Sequence, residues 1–469
     1  MSSNSLGNRF HPFQKLMEAE GIPGIVIDTF RHNYAQLIAG ATGLIPENEI
    51  SPVDSLPDLT SFGEELRNTG MEVMAKTVVI KLNGGLGTSM GLERAKSLIV
   101  VKDDLTFLDI IARQALRQET PLILMNSFAT RADSLEVLKR YPGLEKPGLA
   151  LDFLQHKVPK IDQNDLTPVR WPRAPQLEWT PPGHGDIYTA LETSGMLDAL
   201  LDSGYRFAFI SNADNLGAAL DPALLGYLAN TGKPFLMEVT DRTQSDRKGG
   251  HLAMSSGGQL ILREAAQCPT RDMEFFQDIS RHKFFNTNNL WLDLEALRAR
   301  LEECGHVLGL SIIRNKKTVD PRDETSAPVY QLETAMGSAI SVFTGAGAVR
   351  VPRSRFAPVK TTNDLLAVRS DAYQLTDDYR VFLDEKLNGK VPLIELDNRF
   401  YKLIDAFEDR FRDSPPSLSG CTSLTVSGDI KFGAGVTIKG RVSLTNTRDE
   451  QVEIKPGTVI DRDLIWNDI

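Results

Sequence analysis

The segment from Thr77 to Gly91, TVVIKLNGGLGTSMG, joins an apolar run directly to a glycine-rich turn. The apolar run, residues 77–82, predicts a buried strand. The glycines that follow leave backbone N–H groups open to an anion, because no Cβ covers them. A turn of this kind at the carboxyl end of a parallel strand is typical of nucleotide-binding α/β proteins. The segment therefore predicts both an α/β fold and a phosphate site.

Two familiar phosphate-binding motifs do not fit this glycine loop. The P-loop requires a lysine directly after its last glycine, but none follows Gly91. The dinucleotide fingerprint requires Gly-x-Gly-x-x-Gly, whereas three residues separate Gly87 from Gly91. What remains is a Gly84-Gly85 pair followed, after ten residues, by Lys96. That spacing lets the loop wrap a triphosphate and bring an ammonium group to it, although a tight turn with a surface lysine is an alternative.

Short apolar segments alternate with amphipathic helical patterns over most of the chain beyond this loop. The apolar segments predict five strands, at residues 77–82, 122–125, 151–154, 207–210 and 235–239. Apolar spacing over residues 108–116 predicts a helix that begins after Thr106, and residues 294–301 predict another. Strand–helix alternation of this kind predicts a doubly wound α/β domain around a mixed, mostly parallel sheet.

The C-terminal part of the chain has a different period. Apolar residues recur there every six positions, at Leu424, Ile430, Val436 and Val442 and, two places on, at Val426, Phe432, Ile438 and Leu444. These repeats predict a short parallel β-helix over about residues 421–460, with a β-meander of accidental period as the alternative. We therefore expect a helical N-terminal cap at residues 1–75, a catalytic domain at 76–385 and a C-terminal domain at 386–469.

Composition narrows the class of protein. The 469 residues are enough for two or three domains, and the net charge of −10 argues against a partner such as nucleic acid or anionic lipid. An anionic ligand must then be met by a local positive cluster. Cys268, Cys304 and Cys421 have the spacing of neither a zinc ribbon nor a disulfide framework. With no signal-peptide core at the N-terminus and no apolar run of about 18 residues, we expect a cytoplasmic enzyme or binding protein.

Two polar motifs stand where an α/β sheet binds ligands. Residues 181–186, PPGHGD, hold His184 between two glycines, so that its ring can donate to a ligand oxygen unless it is merely solvated. Residues 211–215, SNADN, directly follow an expected strand. Their carboxylate, Asp214, is a candidate ligand for Mg²⁺, which uses one or two carboxylates together with phosphate oxygens. An Asx-turn that ends the strand is the alternative.

Two further motifs suit a sugar and a phosphate. Residues 285–291, FNTNNLW, place three amides in four positions, which suits the recognition of sugar hydroxyls, with a capped turn as the alternative. Residues 351–362, VPRSRFAPVKTT, contain three cations. Arg353 and Arg355 lie between the two prolines, and Lys360 follows the second proline. In an acidic chain, this second motif is the local positive cluster that an anionic ligand requires.

Taken together, these motifs resemble the eukaryotic-type UTP–glucose-1-phosphate uridylyltransferase (UDP-glucose pyrophosphorylase) family. The resemblance extends from Lys81 to Thr362 and includes KLNGGLGTSMG, DLTFLD, QHKVP, PPGHGD, SNADNLGA, MEVTDRT, FNTNNLW, QLET and VPRSRFAPVKTT. It implies a doubly wound, Rossmann-like nucleotidyltransferase domain followed by a C-terminal left-handed parallel β-helix. Residues 92–95 depart from the family, since they are Leu-Glu-Arg-Ala where Cys-Lys-Gly-Pro is typical.

The resemblance also implies roles for individual residues. Those expected to contact UTP are Leu82, Asn83, Gly84, Gly85, Lys96, Gln155, Gly183, Asn212 and Lys360. Those expected to contact the sugar phosphate are Gly84, Gly85, His184, Asn212 and Asn289. Lys96, Lys360 and Asp214 are expected to be catalytic, with Asp214 also holding Mg²⁺ as the cofactor.

The reaction implied is UTP + glucose 1-phosphate ⇌ UDP-glucose + pyrophosphate, by in-line attack of the sugar phosphate on the α-phosphorus. The nucleophile is already an anion, so we expect catalysis by positioning and charge neutralisation rather than by a general base. A UDP-N-acetylhexosamine or broad-specificity UDP-sugar pyrophosphorylase and a non-catalytic UTP- or sugar-binding regulator are the alternatives. We expect no nucleic-acid or membrane partner, and the β-helix allows a homo-oligomer.

Overall fold

A computed structural model describes the chain from residue 3 to residue 467. The helices are α1 (Ser3–Ala19), α2 (Gly24–Ile38), α3 (Glu64–Val73), α4 (Phe107–Arg117), α5 (Arg131–Leu138), α6 (Ile187–Thr193), α7 (Met196–Asp202), α8 (Pro222–Thr231), α9 (Met273–Gln277), α10 (Leu294–Glu303), α11 (Thr362–Arg369), α12 (Asn398–Tyr401) and α13 (Ile404–Arg410).

The first fourteen strands are β1 (Ile50–Ser51), β2 (Thr77–Asn83), β3 (Val100–Lys102), β4 (Leu105–Thr106), β5 (Leu122–Asn126), β6 (Asp152–Leu154), β7 (Val158–Pro159), β8 (Ile161–Asp162), β9 (Trp179–Thr180), β10 (Phe207–Asn212), β11 (Phe235–Asp241), β12 (His251–Ser255), β13 (Leu260–Arg263) and β14 (Phe284–Asp293). The remaining strands are β15 (Ile312–Thr318), β16 (Pro328–Thr334), β17 (Gly347–Arg350), β18 (Tyr373–Leu375), β19 (Val381–Leu383), β20 (Leu393–Leu396), β21 (Ser417–Ser427), β22 (Ile430–Phe432), β23 (Thr437–Asn446), β24 (Val452–Ile454), β25 (Val459–Ile460) and β26 (Leu464–Trp466).

The central sheet has ten strands, and its main path is β1-β12-β14-β10-β2-β5-β6, with β11 joining β14 to β17 and β13 beside β12. Strands β10, β2, β5 and β6 are parallel, whereas β14 runs antiparallel to β10 and β11. The fold is thus α/β with a mixed sheet, and all five strands expected from the sequence are confirmed. Because the four parallel strands end at one edge, the loops that follow them lie together.

Helices cover both faces of this sheet, as the alternation of side chains along β2 requires. Val78 and Ile80 pack with Leu297 of α10 on one face, and Val79 packs with Ile111 of α4 on the other. Helix α4 begins where the sequence predicts, because Thr106 and the carboxylate three residues later form a reciprocal capping box. The second expected helix, α10, is capped in turn by the carboxylate of the last residue of β14.

The N-terminal segment packs on the catalytic part at two places. Helices α1 and α2 share an aromatic cluster of Phe10, Phe13, Phe30 and Tyr34 that also contacts Leu332 of β16. Helix α3 crosses α8 so closely that glycine occupies the contact point on both helices. A Cβ on Gly70 would lie 1.8 Å from the Pro222 carbonyl oxygen, and one on Gly226 would lie 1.8 Å from that of Leu66. Glycine at both positions is therefore a packing requirement.

The C-terminal part consists of short parallel strands. Strand β21 pairs with β20 and β23, β23 pairs with β25 and β26, and β22 pairs with β24. Leu424 lies opposite Val442, three hexads further along the chain, and Ile430 lies opposite Val452 because residues 447–450 add four exposed positions. All eight residues of the expected hexad pattern are buried. The period predicted from the sequence thus corresponds to parallel strand pairing.

Two other properties bear on the expected compartment and chemistry. Along the described part of the chain, residues 3–467, no helix is long and apolar enough to cross a membrane. The three cysteines are free thiols, with Cys268 and Cys421 buried and Cys304 half-buried.

The helix crossing yields a test of how the N-terminal segment docks. Gly226→Ala places a methyl group where it collides with the Leu66 carbonyl, so α3 and α8 must separate. We expect the free energy of unfolding to fall by about 1–3 kcal/mol, as is usual for overpacking. The matched control is Gly7→Ala, which adds a methyl group in open space within α1 and should not destabilise the protein. Equal melting temperatures for the Gly226 variant and the parent, measured by calorimetry, would contradict the crossing.

Candidate active site

A cavity of about 330 Å³ opens where the parallel strands end. Its lining residues are Leu82, Asn83, Gly84, Gly85, Lys96, Ser97, Met125, Gln155, Pro181, His184, Asn212, Ala213 and Asp214. They come from the last residues of β2, β5 and β10, from the loops after β2, β6 and β10, and from the segment before α6. The structure thus brings together nine of the twelve residues that the sequence comparison assigned to the site.

The glycine loop folds back on itself and returns its lysine to the glycine pair. The Lys96 N–H donates to the Gly85 carbonyl at 3.1 Å, and Leu86 forms a bridge with Ala95. A Cβ on Gly84 would approach the Gln155 side chain to 2.9 Å, whereas one on Gly85 would meet nothing within 4 Å. The ten residues between Gly85 and Lys96 are therefore an excursion that closes at its base.

The side chain of Asn83 has a structural role beneath the loop. It is buried, and its Nδ2 donates to Asn126 Oδ1 and Ser134 Oγ, both at 2.8 Å. These bonds tie the end of β2 to the end of β5 and to α5. Asn83 therefore shapes the cavity floor, and its amide side chain is already committed to protein partners.

Lys96 and Asp214 meet within the cavity, although 118 positions separate them in the sequence. The Lys96 Nζ lies 2.6 Å from Asp214 Oδ2, and both side chains are partly exposed. Each group therefore has a counter-ion, so the cavity carries little net charge. An incoming phosphate can replace the carboxylate as the partner of the ammonium group, because the pair is accessible from the cavity.

His184 is held as a neutral hydrogen-bond donor. Its Nδ1 accepts a hydrogen bond from the Met336 N–H at 2.9 Å, so the proton of the neutral ring lies on Nε2. Burial lowers the pKa of His184 to about 4, which keeps the ring uncharged at neutral pH. Among the described residues the structure gives Nε2 no hydrogen-bond partner, so it can donate to a ligand oxygen, as the sequence predicts.

Gln155 forms another wall of the cavity and is held by Gly183. Gly183 has a φ of +84°, and a Cβ there would lie 2.4 Å from the Thr334 carbonyl oxygen, so only glycine fits. The Gln155 Nε2 donates to the Gly183 carbonyl at 2.9 Å. Gly183 itself does not line the cavity but anchors a residue that does. These two positions, both expected to contact UTP, are therefore in direct contact with each other.

Sequence reasoning missed a carboxylate–imidazole pair behind this wall. Asp186 accepts from the His156 backbone N–H at 2.8 Å and pairs with His156 Nδ1 at 3.0 Å, while Nε2 of the ring contacts Thr193 at 3.0 Å. His156 follows Gln155 directly, so the pair fixes the strand end that presents the glutamine. Both residues belong to recognised motifs, QHKVP and PPGHGD, and that shared membership was the available signal.

The structure does not bring Asn289 to the cavity. The side chain is fully buried, accepts from Asn215 Nδ2 at 3.1 Å and donates to Glu238 Oε2 at 3.0 Å. The amide-rich segment is neither a simple turn nor a regular strand, because β14 contains a bulge at which Asn288 has a φ of +56°. Asn289 thus lies between protein groups and does not reach the ligand space directly in this conformation.

Lys360 lines a second cavity of about 460 Å³ rather than the first. The residues around it there include Lys248, Asp364 and Val391. Its backbone N–H donates to the Asp364 carboxylate at 2.8 Å, and the N–H of the preceding residue donates to the Asp214 carbonyl at 3.1 Å. Lys360 is therefore attached to the metal-ligand candidate through the backbone, and its exposed side chain lines the second cavity.

Asp214 can bind a divalent cation only if substrate phosphates supply further ligands. No three His, Cys, Asp or Glu side chains within residues 3–467 form a cluster that could hold a metal ion. Mg²⁺ commonly takes one or two carboxylates and completes its shell with water and substrate phosphates. A single carboxylate beside a triphosphate-sized cavity has the donor chemistry for that arrangement.

Comparisons with known proteins agree with the geometry. A family profile described as UTP–glucose-1-phosphate uridylyltransferase matches residues 27–439. The chain is 41% identical to the enzyme of that name from Solanum tuberosum, over 88% of this chain and 86% of the relative. It is 37% identical to the one from Encephalitozoon cuniculi, over 90% of this chain and 83% of the relative.

Solved structures show the same similarity in three dimensions. A variant of UDP-glucose pyrophosphorylase from Leishmania major, crystallised in complex with UDP-glucose, superposes with a TM-score of 0.91 at 45% identity, and 99% of each chain is covered. The structure described as UDP-glucose phosphorylase from Trypanosoma brucei gives a TM-score of 0.88 at 47% identity, covering 98% of this chain and 100% of that one.

The neutral state of His184 has a consequence for stability. Its pKa falls from 6.5 to about 4 on folding, so between these pH values the unfolded chain binds more protons. This group therefore makes the free energy of unfolding decrease as the pH falls from about 6.5 to about 4. His184→Asn keeps an acceptor for the Met336 N–H but binds no proton. We expect the melting temperature of the variant, relative to the parent, to rise as the pH is lowered through this range; a constant difference would contradict burial of the neutral ring.

Proposed function

Since the chain belongs to the UTP–glucose-1-phosphate uridylyltransferase family, it forms UDP-glucose and pyrophosphate from UTP and glucose 1-phosphate, and we propose that it does so in the cavity beside the glycine loop. One observation carries this assignment. Nine residues drawn from distant motifs line a single cavity that has a cation, a carboxylate and a neutral donor. A non-catalytic binding protein would not need the cation, the carboxylate and the neutral donor to lie together in one cavity.

In the proposed complex the glycine loop receives the triphosphate. The backbone N–H groups near Gly84 and Gly85 approach phosphate oxygens without a side chain in the way. Lys96 exchanges its bond with Asp214 for a bond to phosphate, which leaves the carboxylate free. Gln155, held by Gly183, faces the uracil. The nucleotide is thus bound by groups that are already fixed in position.

The sugar phosphate enters on the His184 side. The Nε2–H of the neutral ring donates to the hexose phosphate, and the Asn212 amide lies at the end of β10 between the two substrates. Attack occurs in line on the α-phosphorus, and the phosphate oxygen needs no base because it is already ionised. Positioning can contribute about 7–11 kcal/mol and each well-placed donor about 3–4 kcal/mol to such a step.

We propose Asp214 as the protein ligand for Mg²⁺. Asp214, together with substrate phosphates, would hold the ion, which would supply positive charge to offset the charge of the phosphates. The free oxygen of the carboxylate and its exchangeable pairing with Lys96 support this role. Lys360, carried on the segment bonded to the Asp214 backbone, is proposed to reach the phosphates from the opposite side of the cleft.

We further propose the division into a cap at 1–75, a catalytic domain at 76–385 and a C-terminal domain at 386–469 whose parallel strands form a left-handed β-helix. Val459 and Ile465 on its last strands are 56% and 66% exposed, which supports self-association through that end. Free cysteines support a reducing compartment, and we propose the cytoplasm.

The metal role is tested with Asp214→Asn. The amide keeps the shape and hydrogen bonding of the carboxylate but loses its charge, so the variant should release no pyrophosphate from UTP and glucose 1-phosphate in response to added Mg²⁺. Asp202→Asn, at the exposed end of α7, is the charge-matched control and should behave as the parent does. If pyrophosphate release by the Asp214 variant and by the parent depends on Mg²⁺ in the same way, Asp214 does not bind the metal and only forms the turn after the strand.

The role of Lys360 is tested with Lys360→Ala. We expect a folded protein whose kcat falls by roughly 10²–10³, because one donor to developing charge contributes that much in comparable sites. Lys402→Ala removes an exposed cation elsewhere and serves as the control. A stable Lys360 variant with the parental kcat would exclude the residue from the reaction.

A further inference from the structure

Glu238 is a buried charge that the proposed reaction does not use. It lies in β11 between Met237 and Val239, and all three side chains are fully buried. A carboxylate in such a place costs several kcal/mol unless it is paired and fully hydrogen-bonded. The sequence offers one signal, an acidic residue within the apolar run of residues 235–239.

The Glu238 carboxylate accepts four hydrogen bonds. Arg355 donates twice in a fork, from Nε to Oε2 at 2.7 Å and from Nη2 to Oε1 at 2.6 Å. Trp291 Nε1 donates to Oε1 at 2.8 Å, and Asn289 Nδ2 donates to Oε2 at 3.0 Å. A two-bond fork between planar groups fixes direction as well as distance, so the position of Arg355 is set by the sheet.

Arg355 belongs to the segment that carries Lys360, residues 353–360, which we name the cation strap. The strap packs against the turn after β10, residues 213–219. The contact leaves no space for a side chain, since a Cβ on Gly217 would lie 2.4 Å from the Ser354 carbonyl oxygen. Arg355 also donates to the carbonyl of the last residue of that turn at 2.8 Å.

The strap and the turn are fastened by further polar contacts. Asn215 accepts from the Ala357 N–H at 2.9 Å and donates to the Arg355 carbonyl at 3.2 Å. Beyond them, the Val359 N–H donates to the Asp214 carbonyl at 3.1 Å. A continuous set of hydrogen bonds therefore runs from the buried carboxylate, through the strap, to the residue next to Lys360.

We propose that Glu238 is a positioning residue for Lys360: by holding the Arg355 fork it sets the register of the cation strap on the turn that carries Asp214, so that the ammonium group is presented to the bound phosphates. The inference rests on the proposed role of Lys360. It also accounts for Asn289, which donates to both Glu238 and the Arg355 carbonyl and so acts from within the protein.

A double-mutant cycle tests the inference. Arg355→Lys keeps the charge but lacks the fork, and Glu238→Gln keeps the shape but lacks the charge. Each is made in the parent and in Lys360→Ala, and kcat for pyrophosphate release is measured at saturating UTP and glucose 1-phosphate. We expect each single variant to lose about 10²-fold in kcat, the size of effect that a misplacement of about 1 Å produces. In the Lys360→Ala background the same changes should cost less than about twofold.

The controls separate positioning from folding. The Kd for UTP should change little, because neither Glu238 nor Arg355 lines the glycine-loop cavity. Trp291→Phe removes one bond to the same carboxylate without touching the strap, so it should lower the melting temperature yet retain kcat. If Glu238→Gln does not fold, Arg355→Lys and Glu238→Asp carry the same cycle.

Three outcomes would overturn the inference. A folded Arg355→Lys variant with parental kcat would show that the fork does not position a catalytic group. If the Arg355 and Glu238 changes lower kcat by the same factor in Lys360→Ala as in the parent, the network acts independently of Lys360. If Lys360→Ala alone retains the parental kcat, the proposed role of Lys360 fails and the inference falls with it, which is distinguishable from the first two results.

Discussion

Strand β2 runs parallel to β10 with Leu82 opposite Asn212, and this pairing determines where the groups of the cavity lie. The glycine loop and the turn that carries the carboxylate leave the sheet side by side because of it. Lys81 secures the pairing from within, since its Nζ donates to Ser211 Oγ at 2.7 Å and to the Ala218 carbonyl at 2.8 Å. Burial lowers the pKa of Lys81 to about 7. The buried amine is tolerated because each of the two acceptors forms a hydrogen bond with it.

The charges in the cavity suit an acidic protein whose two substrates are polyanions. The chain carries a net charge of −10, yet its cavity pairs Lys96 with Asp214 and adds a neutral imidazole at His184. In the proposed complex, backbone N–H groups and neutral donors would bind phosphate without adding charge that would hold the products too tightly. In the same proposal, Lys96 would bind phosphate when it arrives and would pair with Asp214 again when phosphate leaves.

Close backbone approach is the second recurrent feature. Gly183 touches β16, Gly217 touches the cation strap, and Gly226 touches α3, each at a distance that excludes a Cβ. These contacts join loops from distant parts of the chain, and they position the donors and carboxylates described above. Gly85 of the first loop differs from them, since it lines the cavity and a Cβ there would meet nothing within 4 Å.

The sequence by itself determined the α/β class, the five strands, the capped helix after Thr106 and the parallel C-terminal hexads, because apolar period and capping are local properties of the chain. It also identified most groups of the cavity through ordered motifs. It did not place Lys360 in a separate cavity or Asn289 beneath the surface, and it gave no role to Glu238. The partners of Glu238 include Asn289 and Arg355, which lie 51 and 117 positions away, and such pairs meet only when the sheet, its bulge and the strap have packed.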